Sequence, residues 1–96
     1  MNHNDKIYIA GHTGLVGSAI VRRLEALGYT NLILRTHDQL DLTIQSQVEN
    51  FFYKNKPDYV LILAWNLKEE IMEQMKFIRR WGGKFVVPIP NVRIIQ

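Results

Sequence analysis

The stretch IAGHTGLVGSAI, residues 9–20, decides how the rest of the chain is read. It joins an apolar run, Lys6 to Ala10, to a segment in which Val16, Ile20, Leu24 and Leu27 recur every three or four positions, and it carries glycines at 11, 14 and 17. The period changes there from strand to helix. In such a turn the first glycine permits a sharp reversal, the next lets backbone N–H groups approach a phosphate, and the last lets the helix pack close to the strand. The helix that begins there offers unpaired N–H groups and a partial positive charge to an anion. Gly28 marks its expected end.

Beyond that helix, NLILRT (31–36) reads as a second strand and Gln39 to Leu42 as a brief third. Thr43 is placed to cap a second helix that carries Ile44, Val48, Phe51 and Phe52 on one face and ends before Pro57. DYVLILAW (58–65) is nearly all apolar, as a central parallel strand covered on both faces should be. Asn66 and Glu69 have capping-box spacing for a third helix with a buried stripe of Leu67, Ile71, Met75 and Ile78, closed by Gly82 and Gly83. KFVVPI (84–89) supplies a fifth strand, and a short tail follows Pro88 and Pro90. The alternation predicts an α/β fold: a small Rossmann-like, three-layer domain with a mostly parallel sheet in the order 3-2-1-4-5 and three main helices. Ninety-six residues suit one such domain.

At 47% hydrophobic and 22% charged, the composition is that of an ordinary globular domain. Without cysteine the chain has no disulfide, thiolate metal site or cysteine nucleophile. The apolar runs fall short of the roughly 18–20 residues that span a bilayer, and MNHNDK at the start has no apolar signal core, so a soluble, cytoplasmic protein is expected with no membrane partner. The net charge of +3 suits an anionic ligand such as a dinucleotide. The one basic cluster, Lys76, Arg79 and Arg80, falls late in the third helix, where cations complement the helix C-terminus, so no nucleic-acid partner is expected. Glu69, Glu70 and Glu73 alternate with Lys68, Lys76 and Arg79 at the spacing of a solvated, ion-paired face.

The spacing Gly-x-x-Gly-x-x-Gly in GHTGLVG resembles the fingerprint of the extended, sugar-nucleotide type of short-chain dehydrogenase/reductase. With LILRT, LDLT and KPDYV, residues 6–63 resemble the GDP-L-fucose synthases of that family, which are NADP(H)-dependent epimerase-reductases. An NAD site places Asp or Glu after the second strand to bind the ribose hydroxyls, whereas Arg35 stands there. The resemblance implies that Arg35 contacts a 2′-phosphate, favouring NADP(H); a solvated arginine at a strand end is the alternative. The cofactor-binding set so implied is Gly11, His12, Thr13, Gly14, Leu15, Val16, Gly17, Arg35, Asp41 and Leu42. His12 and His37 either add polar contacts to phosphate or are surface residues, and Asp41 suits either the family's adenine-side segment or ordinary capping.

That family's chemistry needs a Tyr with a Lys four residues later, and a Ser that orients the substrate. Tyr8, Tyr29, Tyr53 and Tyr59 are followed at that distance by His12, Ile33, Pro57 and Leu63, and Ser18 and Ser46 both precede the fourth expected strand. His3, His12 and His37 lack metal-ligand spacing, and no Gly-x-Ser-x-Gly occurs. No catalytic residue and no metal ligand is therefore expected, and the chain reads as a non-enzyme.

From Lys56 the likeness changes. Residues 56–96 resemble the end of the C-terminal domain of sugar C-methyltransferases, in which a strand ending in AWN, a Glu-rich helix, GGKF and a proline-containing tail recur. The two resemblances share KPDYV, and a junction inside one strand implies an engineered chimera of parts 1–55 and 56–96 within a single domain. Its expected function is non-catalytic, with residual weak NADP(H) binding. The alternatives are a natural nucleotide or nucleotide-sugar binding module, or a fragment of a larger NADP-dependent reductase/epimerase. Trp65, closing the fourth strand, either stacks on a cofactor, obstructs it or caps the core. With one helix on the first sheet face and two on the other, strands four and five should be partly bare, which invites a homodimer unless Val92, Ile94 and Ile95 fold over them.

Overall fold

Every residue of β1 (Ile7–Ala10) is buried, and its side chains divide between two cores by the period of two that a strand imposes. The structure is a computed structural model, described over residues 2–11, 15–36, 38–63, 68–87 and 93–95. Ile7 and Ile9 face α1 (Leu15–Ala26), together with Leu61, Leu63 and Val86 and, from α1, Ile20, Val21 and Leu24. Tyr8 and Ala10 face the opposite layer, built from α2 (Gln45–Asn55), α3 (Lys68–Gln74) and the 3₁₀ helix Lys76–Trp81, with Val48, Phe52, Ile71, Met75 and Ile78 in its core. The result is the expected three-layer, Rossmann-like α/β arrangement.

The sheet runs β2-β1-β3-β4-β5, where β2 is Leu32–Ile33, β3 Tyr59–Ile62, β4 Lys84–Val87 and β5 Arg93–Ile95. The first four strands are parallel, with β1 set between β2 (Ile7 beside Leu32) and β3 (Ile7 beside Tyr59). β5 is antiparallel to β4, pairing Val86 with Ile94. Two departures from the expected order 3-2-1-4-5 follow. Gln39 to Leu42 is not a third strand, and the tail extends the opposite edge of the sheet.

The reason for the first departure is local. Gln39 and Leu40 donate their N–H groups to the Thr36 carbonyl, at 3.0 and 2.9 Å, and the Gln39 side chain accepts from the Thr36 N–H at 2.9 Å. Asp41 Oδ1 accepts from both the N–H and the hydroxyl of Thr43, at 2.9 and 2.6 Å. With its donors satisfied in turns, the segment has little left to offer a ladder. The same Asx turn corrects the expected cap: Thr43 is spent on Asp41, and Ile44 stands at the N-cap of α2 with no side-chain hydrogen bond.

α1 ends as its sequence requires. Gly28, at φ +93°, donates to Glu25 O, and Tyr29 donates to Leu24 O at 3.0 Å, with Tyr29 and Leu24 in the same apolar cluster. These are the bonds and the apolar contact of a Schellman motif. The third helix is shorter than its stripe suggested: it breaks at Met75 and continues as the 3₁₀ helix, still burying Ile71, Met75 and Ile78. Gly82, at φ +81°, terminates it, and a side chain at Gly83 would lie 2.9 Å from Ile78 O. The expected cap at Asn66 and the stripe residue Leu67 lie outside the described residues, as do Pro88, Pro90 and Val92.

Leu61, Leu63 and Val86, on the α1 side of β3 and β4, are 7%, 9% and 4% exposed in the single chain. Ile94 stays 53% exposed on the edge strand. Among the described residues no helix is long and apolar enough to cross a membrane.

Candidate functional site

The sheet order places a topological switch at β1. From β1 the chain crosses by α1 to β2 on one side, and later pairs β3 on the other. In open α/β sheets ligands bind where such connections diverge, beyond the carboxyl ends of the strands. Here those ends are held together one residue past the ladder, where the Leu63 N–H donates to the Ala10 carbonyl at 3.0 Å.

Gly11 follows Ala10 directly, exposed and at φ +100°, a conformation that favours glycine. α1 begins at Leu15, which is 89% exposed, and Val16 belongs to it by its backbone. Gly17, inside α1, is buried, in keeping with close packing of helix on sheet. His12, Thr13 and Gly14 lie outside the described residues, as do His37 and Trp65.

Arg35 lies two residues beyond β2 and is exposed. One guanidinium nitrogen, Nη1, donates to the Leu34 carbonyl at 2.7 Å, and the guanidinium carbon sits 5.2 Å from the centre of the Phe51 ring. Phe51 packs edge-on against Tyr8 and Phe52, with ring centres 6.0 and 5.5 Å away. A stack thus runs from the buried core strand, through α2, to the exposed cation. Burial pushes the Tyr8 hydroxyl up from 10.0 to about 12, with the positive charge of Arg35 pulling the other way.

Asp41 and Leu42 are half-buried in the turn before α2. Asp41 is engaged by Thr43 in the Asx turn. The Leu42 carbonyl accepts from the Gln74 side-chain amide, and the Gln45 amide donates to Gln74 O at 3.1 Å, tying the end of α3 to this turn. Phe51 and Gln74 were missed as neighbours of the site. A signal for Phe51 existed, because Phe51 and Phe52 are 100° apart on a helix and cannot both point straight into one core.

Lys76 donates to Glu73 at 2.9 Å on the solvated face and holds the Glu73 carboxyl below the usual carboxylate range. Arg80 donates to the Tyr53 hydroxyl at 2.8 Å, and the Trp81 indole to the Pro57 carbonyl at 2.9 Å. An open depression lined by Ser46, Gln47, Glu49, Asn50 and Tyr53 lies on α2. Among the described residues, no three His, Asp or Glu side chains are grouped to hold a metal ion.

The chain is similar to two kinds of protein. GDP-L-fucose synthase 1 of Arabidopsis thaliana is 61% identical over 59 residues, 62% of this chain and 18% of its own. The C-methyltransferase NovU of Streptomyces niveus is 51% identical over 40 residues, 42% of this chain and 10% of its own. The chain therefore spans less than a fifth of the length of these relatives. Among solved structures, a GDP-mannoheptose C4 reductase from Campylobacter jejuni with NADP bound superposes on 91% of this chain and 31% of its own, with a TM-score of 0.74 and 33% identity. The fold is thus that of the GDP-sugar reductases over nearly the whole chain. A family model for the C-methyltransferase C-terminal domain matches residues 41–90, more than half of the sequence. Through those residues, the chain belongs to the C-methyltransferase C-terminal domain family.

Proposed function

We propose that this chain is a non-catalytic, Rossmann-like nucleotide-binding domain: an engineered chimera of a GDP-sugar reductase-like part and a C-methyltransferase C-terminal-domain-like part, retaining weak NADP(H) binding. The observation that carries the reading is at the switch point, where Gly11 follows β1 at φ +100° and α1 begins at Leu15, with Arg35 exposed just past the neighbouring strand β2. A phosphate would meet the turn and the N-terminus of α1, and a 2′-phosphate would meet the guanidinium. The bound NADP in the C. jejuni reductase, at 33% identity, supports the choice of cofactor.

The wider set Gly11, His12, Thr13, Gly14, Leu15, Val16, Gly17, Arg35, Asp41 and Leu42 is proposed as the binding surface. Hydride transfer is outside this reading, because no Tyr in the chain has Lys four residues later. Titrating labelled protein with NADPH and NADH, and following amide chemical shifts, tests it. Saturable shifts from Gly11 to Val16 and at Arg35, stronger for NADPH, are expected; none at millimolar ligand would overturn it.

A second reading, a fragment of a larger NADP-dependent reductase/epimerase, is favoured by the match of 91% of this chain to 31% of the reductase. NADPH oxidation restored by adding a separate reductase substrate domain would support the fragment over the chimera.

A further inference from the structure

The Arg35 guanidinium is exposed, yet it is not a free side chain. It lies over the Phe51 ring, 5.2 Å from the centre, and donates one hydrogen bond to its own neighbour's carbonyl, Leu34 O, at 2.7 Å. Phe51 is itself fixed: half-buried on α2, it meets Tyr8 and Phe52 edge-on, and both of those are buried. A guanidinium has five N–H donors, all in its plane. The Leu34 carbonyl takes one of them, and the Phe51 ring attracts the group through its charge. Donors remain for an anion, with part of the side chain's rotamer freedom already surrendered.

We infer that Phe51 is a positioning residue that sets nucleotide specificity, holding Arg35 in place to select ligands that carry a 2′-phosphate. The inference rests on the proposed nucleotide site and adds to it the residue through which Arg35 acts. A stacked cation at an exposed site contributes about 0.5–1 kcal/mol, so removing the ring should lower the preference for a 2′-phosphate by about two- to fivefold.

The test uses the full chain and two small probes, 2′,5′-ADP and 5′-AMP, which differ in the 2′-phosphate alone. Their affinities are compared by amide-shift titration for the parent, Phe51→Leu, which keeps the apolar bulk, and Phe51→Tyr, which keeps the ring. The expected result is a parent that prefers 2′,5′-ADP, a preference reduced about two- to fivefold in Phe51→Leu, and its recovery in Phe51→Tyr. A merely structural role would weaken both probes alike and leave the ratio unchanged, which would overturn the inference while leaving the nucleotide site standing. If the parent does not distinguish the probes, the underlying site reading fails and the inference with it. Should Phe51→Leu not fold, Phe51→Met removes the ring with a more adaptable side chain, and the same ratio decides.

Discussion

Raising the pH should destabilise this protein through one residue in particular. Tyr8 is 2% exposed, packed against Phe52 with ring centres 4.8 Å apart, and burial pushes its hydroxyl from 10.0 to about 12. Below pH 10 both the folded and the unfolded chain hold the proton, and the contribution is fully present. Between pH 10 and 12 the unfolded chain releases it while the folded chain keeps it, so stability falls; above 12 the loss is complete. The gap between 10.0 and about 12 corresponds to roughly 2–3 kcal/mol. For a chain of 96 residues, whose whole stability is roughly 5–14 kcal/mol, that is a substantial share. Urea midpoints measured from pH 9 to about pH 12, for the parent and for Tyr8→Phe, isolate the effect of this one hydroxyl. The parent should lose roughly 2–3 kcal/mol more than Tyr8→Phe across that range. Equal losses in the two proteins, or a tyrosinate absorbance that rises in a single step near the ordinary value for all four tyrosines, would refute the reasoning. Because Arg35 lowers the Tyr8 value, Arg35→Ala should move its titration still higher.

Four further outcomes follow from the packing and the backbone geometry. Gly83→Ala should cost about 1–3 kcal/mol, seen as a drop in Tm, because the added carbon would lie 2.9 Å from Ile78 O and 3.0 Å from Ile78 Cβ. At Gly82, where φ is +81° and nothing lies within 4 Å, the cost is one of backbone conformation alone, and Gly82→Asn should lower the same melt less than Gly82→Ala. Phe52→Ala empties a fully buried ring site and should cost about 3–5 kcal/mol, lowering the urea midpoint sharply with the slope preserved if the fold survives. Gly11→Ala, at φ +100°, should cost about 1–2 kcal/mol and remove the NADPH-dependent shifts of the turn; a folded variant with undiminished shifts would take Gly11 out of the site.

Much of the sheet was legible because its signals are local. β1 and β3 read as continuous apolar runs, the hallmark of parallel strands covered on both faces, and both are buried almost throughout. Gly28 and Gly82 stand where helices end in the left-handed region, and each does that work. The misreadings came where one local pattern served two structures. Leu40 and Leu42 alternate with polar residues as a strand would, but Thr36, Gln39, Asp41 and Thr43 close turns on one another and satisfy the donors a strand needs. The tail, with two prolines before it, was read as able to fold over the sheet face and not as a strand, and Arg93–Ile95 pairs with β4 because strand pairing is decided by the edge available.

The amino-acid order alone determined the alternation of strand and helix, the glycine turn after β1 and the presence of a cation after β2, because periodicity, backbone freedom and charge are properties of neighbouring residues. Only the tertiary structure decided what that cation touches. Arg35 and Phe51 are sixteen residues apart, and they meet because β2 and α2 are both held by β1, through the ladder on one side and the Tyr8 ring on the other. A contact of that kind depends on the depth to which each element packs, and no local pattern encodes it.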